Sequence, residues 1–106
     1  MWTVETLNTT VDDELEALPL DQRSKFIWIT EIIMEHGLEK MREPHVKHLE
    51  QGLWEIRMKG RDGISRAIYV VAKPKRVVVV RVFKKKTQKT PRREVNLTLE
   101  RAKEIT

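Results

Sequence analysis

The chain has 106 residues, a net charge of +5 and no cysteine. This length allows one domain with a single modest core. The lack of cysteine excludes disulfides and thiolate chemistry, which fits a reducing cytoplasm. The N-terminal segment lacks the basic start and apolar centre of a signal peptide, and no apolar stretch approaches the ~18 residues of a membrane span. The sequence therefore predicts one cytoplasmic domain, residues 1–106.

Charge is divided unevenly between the two halves of the chain. Residues 1–50 contain 5 Lys/Arg and 11 Asp/Glu, whereas residues 51–106 contain 16 and 5. A basic excess clustered in one half indicates a polyanionic partner, of which nucleic acid is the commonest. The alternative is a solvated surface of lysine and arginine side chains.

The first half predicts one strand and two helices. Residues 2–7 alternate as a short edge strand. Thr10, with acidic residues just after it, is typical of a helix N-cap, and Pro19 separates that helix from the next. Apolar residues recur at three- and four-residue spacing in the second helix, which ends at His36-Gly37. The two helices form a predicted antiparallel hairpin.

The second half changes to the periodicity of strands. Residues 53–58, 65–72 and 76–83 are strand candidates separated by short turns, which permit only an antiparallel meander. Thr90-Pro91 then supplies an N-cap and a first helical residue for a final helix. The predicted order is β-α-α-β-β-β-α. This is an α+β fold in which the helical hairpin and the C-terminal helix pack on a twisted, largely antiparallel sheet.

Each strand of the meander carries an arginine within a largely apolar pattern: Arg57, Arg66 and Arg81. On strict alternation, Arg81 lies on the same face of its strand as Val79 and Phe83. The planar guanidinium suits phosphate and keeps its charge at physiological pH. Three arginines from paired strands are therefore candidates for one phosphate-binding patch. The alternative for each arginine is an outward side chain or a carboxylate partner.

Three further stretches carry a family likeness: GLWEIR at residues 52–57, RAIYVV at residues 66–71 and FKKKTQKTP at residues 83–91. Together with the helix that follows, they resemble the RelE/ParE/HigB superfamily of type II toxins, and most closely its HigB-like branch of phage-derived toxins. The resemblance extends over nearly the whole chain, and the last motif is the most specific part of it. It implies a small RelE-like fold.

The resemblance also implies an activity, the inhibition of translation by endonucleolytic cleavage of mRNA on the ribosome, and a cognate antitoxin such as a small helix-turn-helix protein. In this reaction the RNA 2′-OH attacks the adjacent phosphate, and no metal or other cofactor is needed. A lysine in a positive cluster has its neutral form favoured, so Lys85 or Lys86 is a candidate base. Arg57 and Arg66, with Arg81 as a further candidate, would hold the phosphate.

Other residues are assigned to RNA binding. Phe83 is a candidate for stacking on a base, with a position in the core as the equal alternative. Lys47 and His48 precede the first strand of the meander and are candidates for reaching the RNA. Residues 83–91 form the basic segment, and its other two lysines, Lys84 and Lys89, are also candidates for RNA binding. The histidines around residue 48 lack a well-placed third ligand, so no metal site is predicted.

Two other functions stay open at this point. ParE-type relatives with the same fold poison DNA gyrase and are not nucleases, so the fold alone does not fix the activity. A non-catalytic RNA-binding module would also account for the basic half of the chain. The lysine motif and the strand arginines favour the ribonuclease.

Overall fold

The structure, a computed structural model, describes residues 1–41, 45–85 and 89–105. Its strands are β1 (Thr3–Thr6), β2 (Val46–His48), β3 (Trp54–Gly60), β4 (Gly63–Ala72) and β5 (Arg76–Lys85). Its α-helices are α1 (Thr9–Glu16), α2 (Leu20–His36) and α3 (Arg92–Ala102), and a 3-10 turn, Leu38–Lys40, follows α2. Within the described ranges, no helix is long and apolar enough to cross a membrane.

The five strands form one sheet in the order β1-β5-β4-β3-β2. The strands β2 to β5 pair antiparallel in succession, and β1 lies parallel to β5 at the opposite edge from β2. The predicted α+β fold with a meander between helices is confirmed. Strand β2 was not predicted, because three residues, two of them exposed and polar, are too few to show an alternating pattern.

Helices cover both faces of the sheet and create two apolar clusters. The larger cluster joins α1 and α2 to one face and includes Val11, Phe26, Ile29, Ile56, Ala67, Tyr69 and Val79. The smaller cluster lies against α3 and consists of Leu53, Ile68, Phe83 and Val95. Ile68 belongs to the smaller cluster while its neighbours in β4 belong to the larger one, as the alternation of a strand requires. The sheet therefore separates the helical hairpin from α3.

A bulge in β5 changes which of its side chains share a face. Val79 and Arg81 pair with consecutive residues of β4, so Val80 has no residue opposite it. Strict alternation placed Val79, Arg81 and Phe83 on one face. That prediction is right for Arg81 and Phe83, which line the same cavity, but wrong for Val79, because the extra residue reverses the alternation beyond Val80. As a result Val79 and Val82 both join the larger cluster, whereas Phe83 packs against α3.

The helix ends follow local chemistry, with two corrections to the predicted caps. Asn8 caps α1, because its side chain accepts a hydrogen bond of 3.1 Å from the backbone N–H three residues later. Thr10 lies inside the helix. Gly37, with a φ of 94°, ends α2 as predicted, since glycine adopts this conformation easily. Pro91 is the cap of α3, which leaves the hydroxyl of Thr90 available for another interaction.

Candidate functional site

A cleft of about 430 Å³, the basic cleft, lies between the edge strand β2, strand β4 and the start of α3. It is lined by Lys47, His48, Leu49, Glu50, Arg66, Lys89, Thr90, Arg92 and Val95. Four of these residues are lysine or arginine and one is acidic, so the cleft favours an anion. It brings together four residues that the sequence indicated for the site, namely Lys47, His48, Arg66 and Lys89.

A buried carboxylate holds two of the lining residues in place. Glu55 of β3 is completely buried; it forms an ion pair with Arg66 and accepts a hydrogen bond of 2.8 Å from the Thr90 hydroxyl. Arg66 in turn donates to that hydroxyl at 3.1 Å. Arg57 lies opposite Arg66 in the register of β3 and β4, and its Nε is 3.3 Å from the same carboxylate. One glutamate therefore fixes two of the three strand arginines.

This arrangement makes Arg66 a rigid source of positive charge. Arg66 is only 3 % exposed, whereas the side chain of Arg57 is 26 % exposed. Two guanidinium groups share one carboxylate, so the cluster has one more cationic group than anionic groups. A planar guanidinium held by an ion pair has a fixed orientation. Arg57 is the more accessible of the two.

Glu55 itself was not among the residues that the sequence singled out. Local sequence carries no signal of its burial, because alternation puts Glu55 on the same face of β3 as Arg57 and Lys59, and a charged face of this kind is typical of solvent exposure. Its burial comes with Arg66 and Thr90, which reach it from other parts of the chain, and a buried carboxylate needs such cationic or hydrogen-bonding partners. The sequence does not tell which cation is the partner, since that depends on the register of β3 and β4.

Arg81, Phe83 and Lys84 line a different cavity, of about 420 Å³, beside α1 and α3. The Nε of Arg81 is 2.7 Å from Glu94 and its Nη1 is 2.7 Å from Glu14. The hydrogen bonds with Glu94 outweigh the effect of burial and, with the charge of Glu14, raise the pKa of Arg81 above its usual range. Phe83 is 9 % exposed and packs in the smaller cluster. The structure thus gives Phe83 the core position and Arg81 two carboxylate partners.

Glu14 joins this part of the sheet to both α1 and α3. Its carboxylate contacts Arg101 at 2.8 Å and accepts a hydrogen bond of 3.0 Å from the backbone N–H of Val82. Arg101 also donates to the carbonyl of the bulge residue Val80 at 3.0 Å. Burial raises the pKa of Glu14, but the hydrogen bonds from Arg101 and Val82 and the charge of Arg81 outweigh it, so the pKa lies below its usual 4.5. The network ties α3 to the centre of β5.

The basic segment after β5 lies only partly within the described residues. Lys85 is the last residue of β5, where its backbone pairs with Ile64. Lys86 lies outside the described residues. Lys84 is exposed beside the cavity of Arg81, and Lys89 lines the basic cleft. The two described lysines at either end of this segment, Lys84 and Lys89, therefore lie at different cavities.

The edge strand β2 presents Lys47 and His48 to solvent at the basic cleft. The His48 ring packs edge-on against Trp54, with 4.7 Å between the ring centroids. In the part of the chain that the structure describes, no three His, Cys, Asp or Glu side chains are grouped so that they could hold a metal ion.

A four-stranded meander with a parallel edge strand, two helices on one face and a third helix beside a basic cleft is the architecture of a RelE-like toxin. Residues 13–103 match the family of phage-derived Gp49-like proteins (DUF891), so the chain belongs to this family of RelE/HigB-like toxins. The predicted family is confirmed.

The structure is also similar to a chain of the archaeal RelE-RelB complex from Pyrococcus horikoshii OT3, with 25 % sequence identity and a TM-score of 0.57. The match covers 78 % of this chain and 93 % of that one. No curated protein matches the sequence significantly. The RelE-like fold is therefore common to both structures.

Proposed function

We propose that this RelE-like toxin inhibits translation by cutting mRNA as an endoribonuclease. The observation that carries the proposal is the basic cleft, which Lys47, Lys89 and Arg92 line together with the fixed guanidinium of Arg66; of these, Arg92 is paired with Glu50. Lysine and arginine side chains neutralise the phosphates of a nucleic acid, and a guanidinium of fixed orientation suits a single phosphate at the centre. Three of these cations are exposed and can meet a large substrate.

The reaction that suits these residues is attack of an RNA 2′-OH on the adjacent phosphate. The attack breaks the bond to the 5′-oxygen of the next nucleotide and leaves a 2′,3′-cyclic phosphate and a 5′-hydroxyl. The step needs a base for the 2′-OH proton, cations for the charge that develops on the phosphate, and an acid for the leaving oxygen. Side chains can supply all three functions, so the proposed reaction requires no metal.

The roles are assigned by exposure and position. Arg57 and Arg66 stabilise the charge on the phosphate, because Glu55 holds both guanidinium groups. Lys85, the last residue of β5, and Lys86, which lies outside the described residues, are the candidate bases, because a lysine within a positive cluster has its neutral form favoured. His48, exposed at the basic cleft, is a candidate for the second proton transfer.

The proposal includes two partners. The substrate is mRNA on the ribosome. A cognate antitoxin, such as a small helix-turn-helix protein, would control the toxin, since the similar archaeal structure is a complex of RelE with RelB.

The test is a cell-free translation reaction with purified protein. Protein synthesis should stop, and the mRNA should be cut into fragments that end in a 2′,3′-cyclic phosphate. Replacing Lys47 and Lys89 together with alanine should slow cleavage roughly tenfold or more, because both cations line the basic cleft in which the proposal puts the phosphate.

The matched control replaces Lys73 and Lys75, the exposed lysines of the β4–β5 turn, with alanine. β4 continues for six residues beyond Arg66, about 20 Å at ~3.3 Å per residue, before this turn begins, so the change removes the same charge away from the basic cleft and should leave cleavage unchanged. Circular dichroism checks that both variants fold. Intact mRNA with continued translation and DNA damage would support the gyrase alternative, and RNA binding without cleavage would support the binding module.

A further inference from the structure

A larger cleft, of about 780 Å³, lies next to the basic cleft. Its walls are mostly apolar and come from three parts of the chain. Trp2 precedes β1, Leu38 and Met41 follow α2, and Trp54 and Tyr69 belong to the sheet. Two indole rings in one cleft offer flat surfaces on which a planar ligand can stack.

One buried polar group in these walls has no partner in the described part of the chain. Tyr69 is completely buried, and its hydroxyl makes no hydrogen bond to any described residue. Burial raises the pKa of Tyr69 well above its usual 10, so the phenol keeps its proton and can donate. Buried hydroxyls in proteins are normally paired, and leaving one unpaired is unfavourable. A ligand with a polar edge would supply the missing partner.

The two clefts share a wall at the edge strand β2. Lys47 and His48 line both of them, and the contact of His48 with Trp54 continues that wall into the larger cleft. A ligand that occupies both clefts needs an anionic part beside the lysine and a planar part with a polar edge between the tryptophans. A nucleotide has both parts. An apolar protein side chain would fill the larger cleft but would leave the Tyr69 hydroxyl unpaired.

We infer that the larger cleft is a base-binding subsite, which receives one base of the RNA whose backbone lies in the basic cleft. The inference rests on the proposed function. It adds a subsite at which the protein binds one nucleobase of the RNA substrate. Stacking accepts any base because every base has an aromatic face, so the subsite strengthens binding without selecting a sequence. The site would thus bind single-stranded RNA with one base turned out of its stack.

The experiment measures binding of short single-stranded RNA whose riboses carry 2′-O-methyl groups, which prevent the 2′-OH attack. A set of oligomers contains one abasic residue at each successive position. At one position, loss of the base should weaken binding to the native protein about tenfold. In each of the variants Trp2→Ala, Trp54→Ala and Tyr69→Phe, the difference in affinity between the intact oligomer and that abasic oligomer should be much smaller. Trp28→Ala is the matched control, because that tryptophan is exposed on α2 and does not line the cleft.

Each outcome supports the inference or overturns it. Tyr69→Phe removes one oxygen and keeps the ring, so this variant with Trp2→Ala decides the question if Trp54→Ala does not fold. Equal affinity for the intact and all abasic oligomers overturns the inference, while the translation assay decides the proposed function separately. The inference is also overturned if these variants bind RNA normally but no longer bind the antitoxin, because the cleft then receives a protein.

Discussion

Replacing Glu55 with glutamine should destabilise the protein severely, although it changes only one atom of the side chain. Glu55 is completely buried, and the side chain of its ion-pair partner Arg66 is 4 % exposed. The variant leaves the charge of Arg66 inside the protein without its carboxylate. The carbonyl oxygen of glutamine can still accept a hydrogen bond from Arg66 or Thr90, which compensates for part of the loss.

The magnitude follows from that burial. Removing one partner of a buried ion pair costs ~3–5 kcal/mol, and the retained acceptor places this variant at about 3 kcal/mol. A domain of this size has a total stability of ~5–15 kcal/mol, so the variant should still fold at room temperature. Each lost kcal/mol lowers the melting temperature by ~4–8 °C, which gives a decrease of about 12–24 °C.

The assay is urea unfolding followed by circular dichroism. The control is Glu100→Gln, because Glu100 pairs with Lys103 at 3.2 Å on the surface, where both side chains are over 70 % exposed. That change should stay within about 0.5 kcal/mol of the native stability. The double variant Glu55→Gln with Arg66→Met removes the buried charge and should be more stable than Glu55→Gln alone.

Two results would refute this reasoning. A loss below about 1 kcal/mol for Glu55→Gln would mean that Arg66 does not depend on the carboxylate. A double variant as unstable as the sum of its two single variants would mean that the two residues are not coupled.

Three further predictions concern packing, pH and salt. Gly60→Ala should lower the free energy of unfolding, measured in urea, by about 1–3 kcal/mol, because an added Cβ would lie 2.6 Å from the Asp21 carboxylate at the start of α2. An unchanged urea midpoint would contradict this close packing. The folded pKa of Glu14 is depressed, so its contribution to stability is present above pH 4.5 and is lost as the pH falls through the folded value. Glu14→Gln should therefore reduce the loss of stability that the native protein shows as the pH falls below 4.5. An unchanged loss would mean that Glu14 does not cause it. Neutralising Lys84 and Lys89 should reduce the slope of log RNA affinity against log salt concentration by about one unit for each phosphate that the protein no longer neutralises. Neutralising the two lysines of the β4–β5 turn should leave this slope unchanged. Equal slopes for the two variants would make the basic segment a solvated surface.

Much of the fold was determined by local sequence. The apolar spacing of α2 and its stop at Gly37 are properties of neighbouring residues, and so are the turns that force the meander to be antiparallel. The family motifs are also linear, and they led to the RelE-like fold without any tertiary information. The same holds for the basic half of the chain, whose charge is a matter of composition.

The positions of the site residues were decided only by the tertiary structure. The sequence grouped Arg57, Arg66 and Arg81, but the bulge at Val80 and the register of the strands place the first two on Glu55 and the third between Glu14 and Glu94. The basic cleft likewise depends on the short edge strand β2, which presents Lys47 and His48 beside residues more than 40 positions later in the chain. Partners across a sheet are set by register, and one extra residue in a strand changes every pair beyond it. For this reason the sequence alone could name the cations of the site but could not determine which of them meet.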